Sequence, residues 1–142
     1  MNKLLQKIND FIIVNCITIE YNPPKGHVTK QSPTLIKYEL DNGMEIGIGL
    51  NHETKAAYVE FKHKTKRWDV LNIFSIGDLS SFFNTMYFVF KIRTFNPTSI
   101  TFVGAESRRV GIYMDIIRKN FPDIVVERET VGIFTKLNIS KK

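Results

Sequence analysis

Hydrophobic and polar positions alternate with a period of two through the first half of the chain. Apolar residues fill every second position in Thr34–Leu40 and again in Met44–Leu50, and Asp41-Asn42-Gly43 separates the two segments. Asn-Gly between alternating segments is the strongest short-range indication of a β-hairpin. Ala56–Phe61 and Trp68–Phe74 continue the pattern. The first half therefore predicts an antiparallel meander of three or four strands.

Three other segments follow the helical period. Residues of the first dozen positions recur at helical spacing and predict a short amphipathic helix: Leu4, Leu5, Ile8, Phe11 and Ile12. Asp78–Phe95 predicts a longer central helix that ends before Pro97, because the residue preceding a proline disfavours helical geometry. Ser107 is a suitable N-cap for a helix that reaches Phe121 and is ended by Pro122.

Short β-branched segments fill the remainder. Ile13–Tyr21 predicts a strand, and Asn22–Gly26 then interrupts regular structure with two prolines and a glycine. Further strands are predicted at Ser99–Val103, Ile124–Val126 and Val131–Leu137. The predicted class is α+β, a mostly antiparallel twisted sheet with two main helices packed on it. We expect one domain over 1–142, with an N-terminal helix, strand and loop (1–33), a core (34–137) and a tail (138–142).

Composition places the chain among globular proteins. It has 142 residues, of which 43% are hydrophobic and 12% aromatic, enough to form a core without crosslinks. Its one cysteine, Cys16, lies in an apolar run and is predicted to be a buried, inert thiol. The three histidines are scattered and offer no zinc-ligand spacing, so no metal site is predicted.

The first ten residues mix charges with apolar residues and lack the apolar region of a signal peptide. No apolar stretch approaches the length of a membrane span. We therefore expect a cytoplasmic protein without a membrane partner. The net charge of +6 favours polyanionic partners only weakly, because the basic residues are spread along the chain.

From Leu35 to Leu137 the order of elements resembles the GNAT fold of acyl-CoA N-acetyltransferases. The closest local similarity is Ser99–Tyr113, which resembles that family's strand followed by a helix with an Asn-x-x-Ala-x-x-Leu-Tyr pattern. The resemblance implies an acetyl-CoA cofactor and gives Tyr113 the role of protonating the departing thiolate. Glu106 and Arg109 stand where the pattern has Asn and Ala.

This chain differs most from that family in the segment that corresponds to the cofactor-binding loop. Its Gln/Arg-x-x-Gly-x-Gly/Ala segment binds pyrophosphate at the start of the central helix, where amides and the helix dipole attract anions. Phe74–Leu79 has one glycine, no basic residue, and Asp78 placed to repel phosphate. The spacing of several short motifs is also similar to that in small uncharacterised bacteriophage proteins, which resemble GNAT proteins without this loop. In this chain the motifs are Phe88–Phe90, Ser99–Val103, Ser107-Arg108 and Tyr113. That similarity implies a non-enzymatic protein without a cofactor.

Two basic clusters are candidate binding sites. Arg108 and Arg109 occupy a first helical turn, where the dipole disfavours cations, so they are predicted to form an anion site; alternatively, Glu106 and Asp115 neutralise them. The densest basic run ends in an aromatic residue, as in sequence-tolerant nucleic-acid binders, or else it is a solvated turn. Its candidate residues are Lys62, Lys64, Lys66, Arg67 and Trp68.

The central helix is apolar over much of its circumference. Its rings form the core, or part of them forms a subunit interface: Phe82, Phe83, Tyr87, Phe88 and Phe90. The functional hypothesis from sequence is a non-enzymatic, phage-encoded binding protein that contacts a protein, including a second copy, or a nucleic acid. The alternative is a divergent GNAT acetyltransferase that uses acetyl-CoA.

Overall fold

The computed structural model describes residues 3–63, 76–105 and 107–142. Three helices and seven strands form in these ranges. In chain order they are α1 (Lys3–Cys16), β1 (Gly26–Ser32), β2 (Leu35–Leu40), β3 (Met44–Asn51), β4 (Ala56–His63), α2 (Ile76–Ile92), β5 (Ser99–Phe102), α3 (Ser107–Asn120), β6 (Ile124–Val131) and β7 (Phe134–Lys141).

All seven strands belong to one sheet with the order β1-β2-β3-β4-β5-β7-β6. Within the described ranges, β4 and β5 pair in parallel and every other pair of neighbours is antiparallel. The predicted α+β class with a mostly antiparallel sheet is confirmed. Three helices accompany the sheet, and α1, at 14 residues, is as long as α3.

One face of the sheet carries the core. Alternate residues of β3 point into it, with Ile46 opposite Phe61 and Ile48 opposite Val59 on β4. Both α2 and α3 pack on this face, because Phe82 of α2 and Tyr113 of α3 each contact Phe61. The opposite positions of β3 are half-buried glycines and a glutamate, which suits an antiparallel sheet with one wetter face.

The strand predicted over Ile13–Tyr21 is wrong. Residues up to Cys16 belong to α1, the amide of Ile17 still bonds to the Ile13 carbonyl at 3.2 Å, and residues 17–25 have no helix or strand. Ile13 and Val14 form the inward side of α1, so their β-branched pair marks a helix face. The prediction that Cys16 is a buried thiol is also wrong, because Cys16 at the end of the helix is exposed to solvent.

The sequence pattern does not predict β1, whose residues fall within the predicted N-terminal loop. Nearly all of its residues are exposed, so no apolar alternation marks it. It is an edge strand that pairs with β2, and Gly26 is required there because a Cβ atom would collide with the backbone of Glu39. The strand predicted at Trp68–Phe74 lies outside the described residues.

The C-terminal end of α2 fixes a pair of aromatic rings. Thr94 adopts φ 49°, its amide bonds to the Lys91 carbonyl at 3.2 Å, and the Phe95 amide bonds to the Phe90 carbonyl at 2.8 Å. These bonds are those of a Schellman motif, which normally places glycine at the left-handed residue. The apolar contact that accompanies the motif is made by Phe90 and Phe95, with ring centroids 5.8 Å apart.

Replacing Thr94 by glycine should stabilise the protein. Thr94 is exposed, and a left-handed conformation costs a non-glycine residue about 1–2 kcal/mol, partly offset by the entropy of glycine in the unfolded chain. We expect Thr94→Gly to raise the free energy of unfolding by about 0.5–1 kcal/mol in urea titrations. Thr130→Gly, at an exposed position of β6, should lower it. A loss of stability in Thr94→Gly would contradict this account.

Candidate functional site

The two arginines predicted as an anion site lie in the first turn of α3. Nη2 of Arg108 is 3.5 Å from Oδ1 of Asp10 on α1. Asp115, the alternative neutralising residue, instead pairs with Arg118, with 3.7 Å between Oδ1 and Nη1. Glu106 lies outside the described residues. The structure therefore gives Arg108 a counterion from a different helix, and anion binding at this turn stays a prediction.

A third arginine reaches the same turn and was missed from the sequence. Arg128 of β6 donates from Nη1 to the Ser107 hydroxyl at 2.9 Å. Gly111 leaves room for this side chain, because a Cβ atom there would lie 2.8 Å from Nη2 of Arg128 and the end of the arginine would have to shift. Arg128 is about twenty positions from Ser107 and returns to it because β6 follows α3 after a short turn and packs against that helix. No spacing rule in the sequence indicates this contact.

Tyr113 is part of the core. Its side chain has no solvent exposure, and its ring packs against Phe102 at 4.8 Å and Phe83 at 5.6 Å between centroids. Burial raises the pKa of the Tyr113 hydroxyl, and the Arg109 guanidinium acts in the opposite direction. A residue that protonates a thiolate must be reachable by the cofactor. In this structure no surface of Tyr113 is open to one.

The start of α2 already holds a negative charge. Asp78 lies in the first turn, is 7% exposed, and accepts a hydrogen bond from Nδ2 of Asn42 at 3.3 Å. A carboxylate at this place compensates the positive end of the helix dipole. GNAT proteins bind pyrophosphate at the start of their central helix, whereas the first turn of α2 carries the carboxyl group of Asp78.

Lys62, at the end of β4, forms an ion pair with Glu45 of β3, with Nζ 3.4 Å from Oε2. Both side chains are partly solvent-exposed, so this contact contributes little stability. The other residues of the predicted nucleic-acid site lie outside the described residues: Lys64, Lys66, Arg67 and Trp68. Nucleic-acid binding by this run stays a prediction.

The aromatic residues of α2 are used inside the monomer. Phe82, Phe83, Tyr87 and Phe90 are buried, and Phe88 is half-buried. The four buried rings contact one another, β4, β5 and α3. Of the five rings only Phe88 keeps partial solvent exposure, so the interface interpretation of this helix stays a prediction that rests on Phe88.

A large exposed apolar surface lies on α1 instead. Five side chains, between 42% and 68% exposed, form what we call the α1 stripe: Leu4, Leu5, Ile8, Phe11 and Ile12. At about 100° per residue they span roughly 120° of the helix circumference. The residues that contact the core, Ile13 and Val14, lie on the other side. The helix thus has two apolar sides, and the core covers one of them.

The end of α3 holds α1 in this orientation. Nζ of Lys119 donates to the Asn15 carbonyl at 2.6 Å. The Asn120 side chain accepts from the Ile19 amide at 2.9 Å and donates to the Ile17 carbonyl at 3.3 Å. With the Arg108–Asp10 pair at the other end of α3, these contacts fix which side of α1 faces solvent.

In the described ranges, no group of three or more His, Cys, Asp or Glu side chains is arranged to hold a metal ion. None of the helices in the described part of the chain is both long and apolar enough to cross a membrane.

No family model, curated protein or solved structure matches this chain.

Tyr113→Phe should change how stability depends on pH. The folded state keeps the Tyr113 proton above the usual tyrosine pKa, whereas the unfolded chain releases it near pH 10. The unfolded state then binds fewer protons, so wild-type stability falls as pH rises above about 10. Removing this group should therefore reduce the stability lost between pH 10 and pH 11 by about 1 kcal/mol in urea titrations.

Tyr58→Phe is the matched control, because half of the Tyr58 side chain is exposed, and we expect its pH dependence to equal that of the wild type. An unchanged slope in Tyr113→Phe would contradict the burial of this hydroxyl.

Proposed function

We propose that this chain is a non-enzymatic binding protein on a GNAT-like scaffold, and that it acts by self-association through the α1 stripe. The observation that carries the proposal is the exposed apolar stripe on a helix whose other side is already packed. The order of elements from β2 to β7 and the single parallel pair, β4 with β5, support the scaffold. The buried Tyr113 and the occupied start of α2 support the absence of acyl transfer.

The spacing within the stripe favours a second copy as the partner. Leu5 and Phe11 lie three positions on either side of Ile8, and Leu4 and Ile12 lie four positions on either side. This arrangement is symmetric about Ile8. A twofold axis perpendicular to the helices places identical surfaces against each other and reverses one helix relative to the other. In such an antiparallel pair Ile8 meets Ile8, Leu4 meets Ile12, and Leu5 meets Phe11.

The exposed apolar area of the α1 stripe determines how tightly two copies should associate. Side chains of this type and exposure offer roughly 500 Å² per copy, compared with about 800 Å² per partner in a standard stable interface. No charged residue lies within the stripe, so little polar desolvation opposes the contact. We therefore expect a weak dimer with a dissociation constant in the micromolar range.

Sedimentation velocity between about 5 and 200 µM should show a concentration-dependent dimer. Ile8→Lys should abolish it, because the twofold contact would bury two like charges. Asn9→Lys adds the same charge at the neighbouring exposed position outside the stripe and should leave the dimer intact. A wild-type monomer at every concentration, or equal effects of the two substitutions, would contradict self-association through α1.

Cysteine crosslinking tests the direction of the pair. In a Cys16→Ser background, Ile8→Cys should form a disulfide with its own copy. Leu4→Cys should not, because two copies of residue 4 are about 12 Å apart along an antiparallel pair, too far for a disulfide. Crosslinking of Leu4→Cys to itself would indicate a parallel pair and would contradict the symmetry argument.

The alternative function, acetyl transfer, is tested with the cofactor. Acetyl-CoA at 1 mM should leave the melting temperature unchanged, because Tyr113 is buried and the carboxyl group of Asp78 lies in the first turn of α2. A ligand at a hundred times its dissociation constant would add about 2.7 kcal/mol of stability, which melting detects easily. ADP at the same concentration controls for general anion binding. A clear upward shift with acetyl-CoA alone would favour the acetyltransferase.

A further inference from the structure

An aromatic groove opens at the end of the sheet where α2 finishes. Its volume is about 850 Å³, within the range of small-molecule sites. The wall is built from five rings of three separate segments and is completed by two isoleucines of β6 and β7. The rings, which we call the ring wall, are Tyr21, Tyr87, Phe90, Phe95 and Phe121.

The rings of the wall contact one another in a continuous series. Centroid distances are 4.8 Å for Tyr87 and Phe121, 5.5 Å for Tyr87 and Phe90, and 5.8 Å for Phe90 and Phe95. Neighbouring rings are tilted or edge-on to one another, which are arrangements that aromatic pairs prefer. Such a wall suits a planar aromatic group, which makes the same offset and edge contacts.

The charge of the groove has one sign. Among the described residues that line it, Lys91 and Lys141 are cationic and none carries a carboxylate side chain. Nζ of Lys91 lies 5.6 Å from the centroid of the Tyr21 ring, directly at the ring wall. An anionic group on a bound molecule would therefore find complementary charge beside the aromatic surface.

A buried donor also lies in the wall. The Tyr87 hydroxyl has no hydrogen-bond partner among the described residues. Burial raises the pKa of this hydroxyl further above that of an ordinary tyrosine, which is already protonated at neutral pH, so the group is available as a donor. The Tyr21 ring packs edge-on against the Tyr87 ring, with centroids 6.2 Å apart, and Tyr21 holds φ 58°, an unfavourable conformation for a bulky residue. Because the Tyr87 hydroxyl is closed to solvent, a ligand would reach it only after Tyr21 or another neighbouring group shifts.

We propose that this groove binds a small aromatic carboxylate. The ring of the ligand packs on the ring wall, and its carboxylate pairs with Lys91 and accepts a hydrogen bond from the Tyr87 hydroxyl. This site is separate from the α1 stripe, since no residue of α1 lines it. The proposal therefore stands independently of self-association.

The test uses calorimetric titration of the full chain with naphthalene-2-carboxylate, 2-naphthalenemethanol and decanoate. The aromatic acid should bind at one site with a dissociation constant between about 10 µM and 1 mM, a range set by its small size. The neutral alcohol should bind at least threefold more weakly because it lacks the charge. Decanoate carries the same charge without a ring and should also bind more weakly.

Substitutions assign the site. Tyr87→Phe keeps the ring and should weaken binding of the acid about fivefold to tenfold, with no effect on the alcohol. Lys91→Met should weaken the acid about twofold to fivefold. Tyr58→Phe and Lys30→Met are the matched controls; Lys30 lies on β1, at the far edge of the sheet from β6. Both controls should bind as the wild type does.

Three results would overturn the proposal. The first is the absence of saturable binding of the acid at millimolar concentration. The second is equal or tighter binding of the alcohol or of decanoate. The third is binding that survives Tyr87→Phe and Lys91→Met but is lost in Ile8→Lys, which would assign the acid to the α1 stripe. If self-association fails while these groove results hold, the ligand site stands alone.

Discussion

The parallel contact between β4 and β5 joins two antiparallel units into one sheet. It is four residue pairs long, from Ala56 opposite Ser99 to Val59 opposite Phe102. Parallel neighbours cannot be connected by a tight turn, so the chain must cross over between them. The crossover includes α2, and its Phe82 contacts a ring on each side of the joint, Phe61 at 4.3 Å and Phe102 at 6.0 Å. The rings of α2 are buried because they cover this joint.

Because the aromatic residues of α2 are buried in the core, the large exposed apolar surface lies on α1. The N-terminal helix packs on α3 rather than across the sheet, and it needs only a narrow side to do so. Its remaining apolar residues are then exposed in one continuous stripe. A basic protein that kept such a surface for no partner would risk non-specific association. If two copies pair as we propose, the symmetry of the stripe about Ile8 makes their contact specific.

Local sequence signals correctly predicted the elements that depend on turns and prolines. Asn42-Gly43 and the alternation around it predicted the β2–β3 hairpin, and Pro97 and Pro122 delimited the two later helices. β1 could not be found, because an exposed edge strand has no buried face to pattern. The apolar residues of α1 predicted a helix correctly, but periodicity alone does not say which apolar side meets the core. That choice depends on Lys119 and Asn120, about a hundred positions away.

The aromatic groove was even harder to predict from the sequence, because it depends on contacts between distant segments. Tyr21, Tyr87 and Phe121 come from three distant segments, and each alone is an ordinary core aromatic in the sequence. They meet because Asn120 at the end of α3 bonds to the segment that follows α1, which brings Tyr21 to within 6.4 Å of Phe121 between ring centroids. The same bonds separate the two proposed surfaces. Because Ile17 and Ile19 are buried and bonded to Asn120, we expect a partner on the α1 stripe to leave Tyr21 in place, so that the two proposed sites act additively.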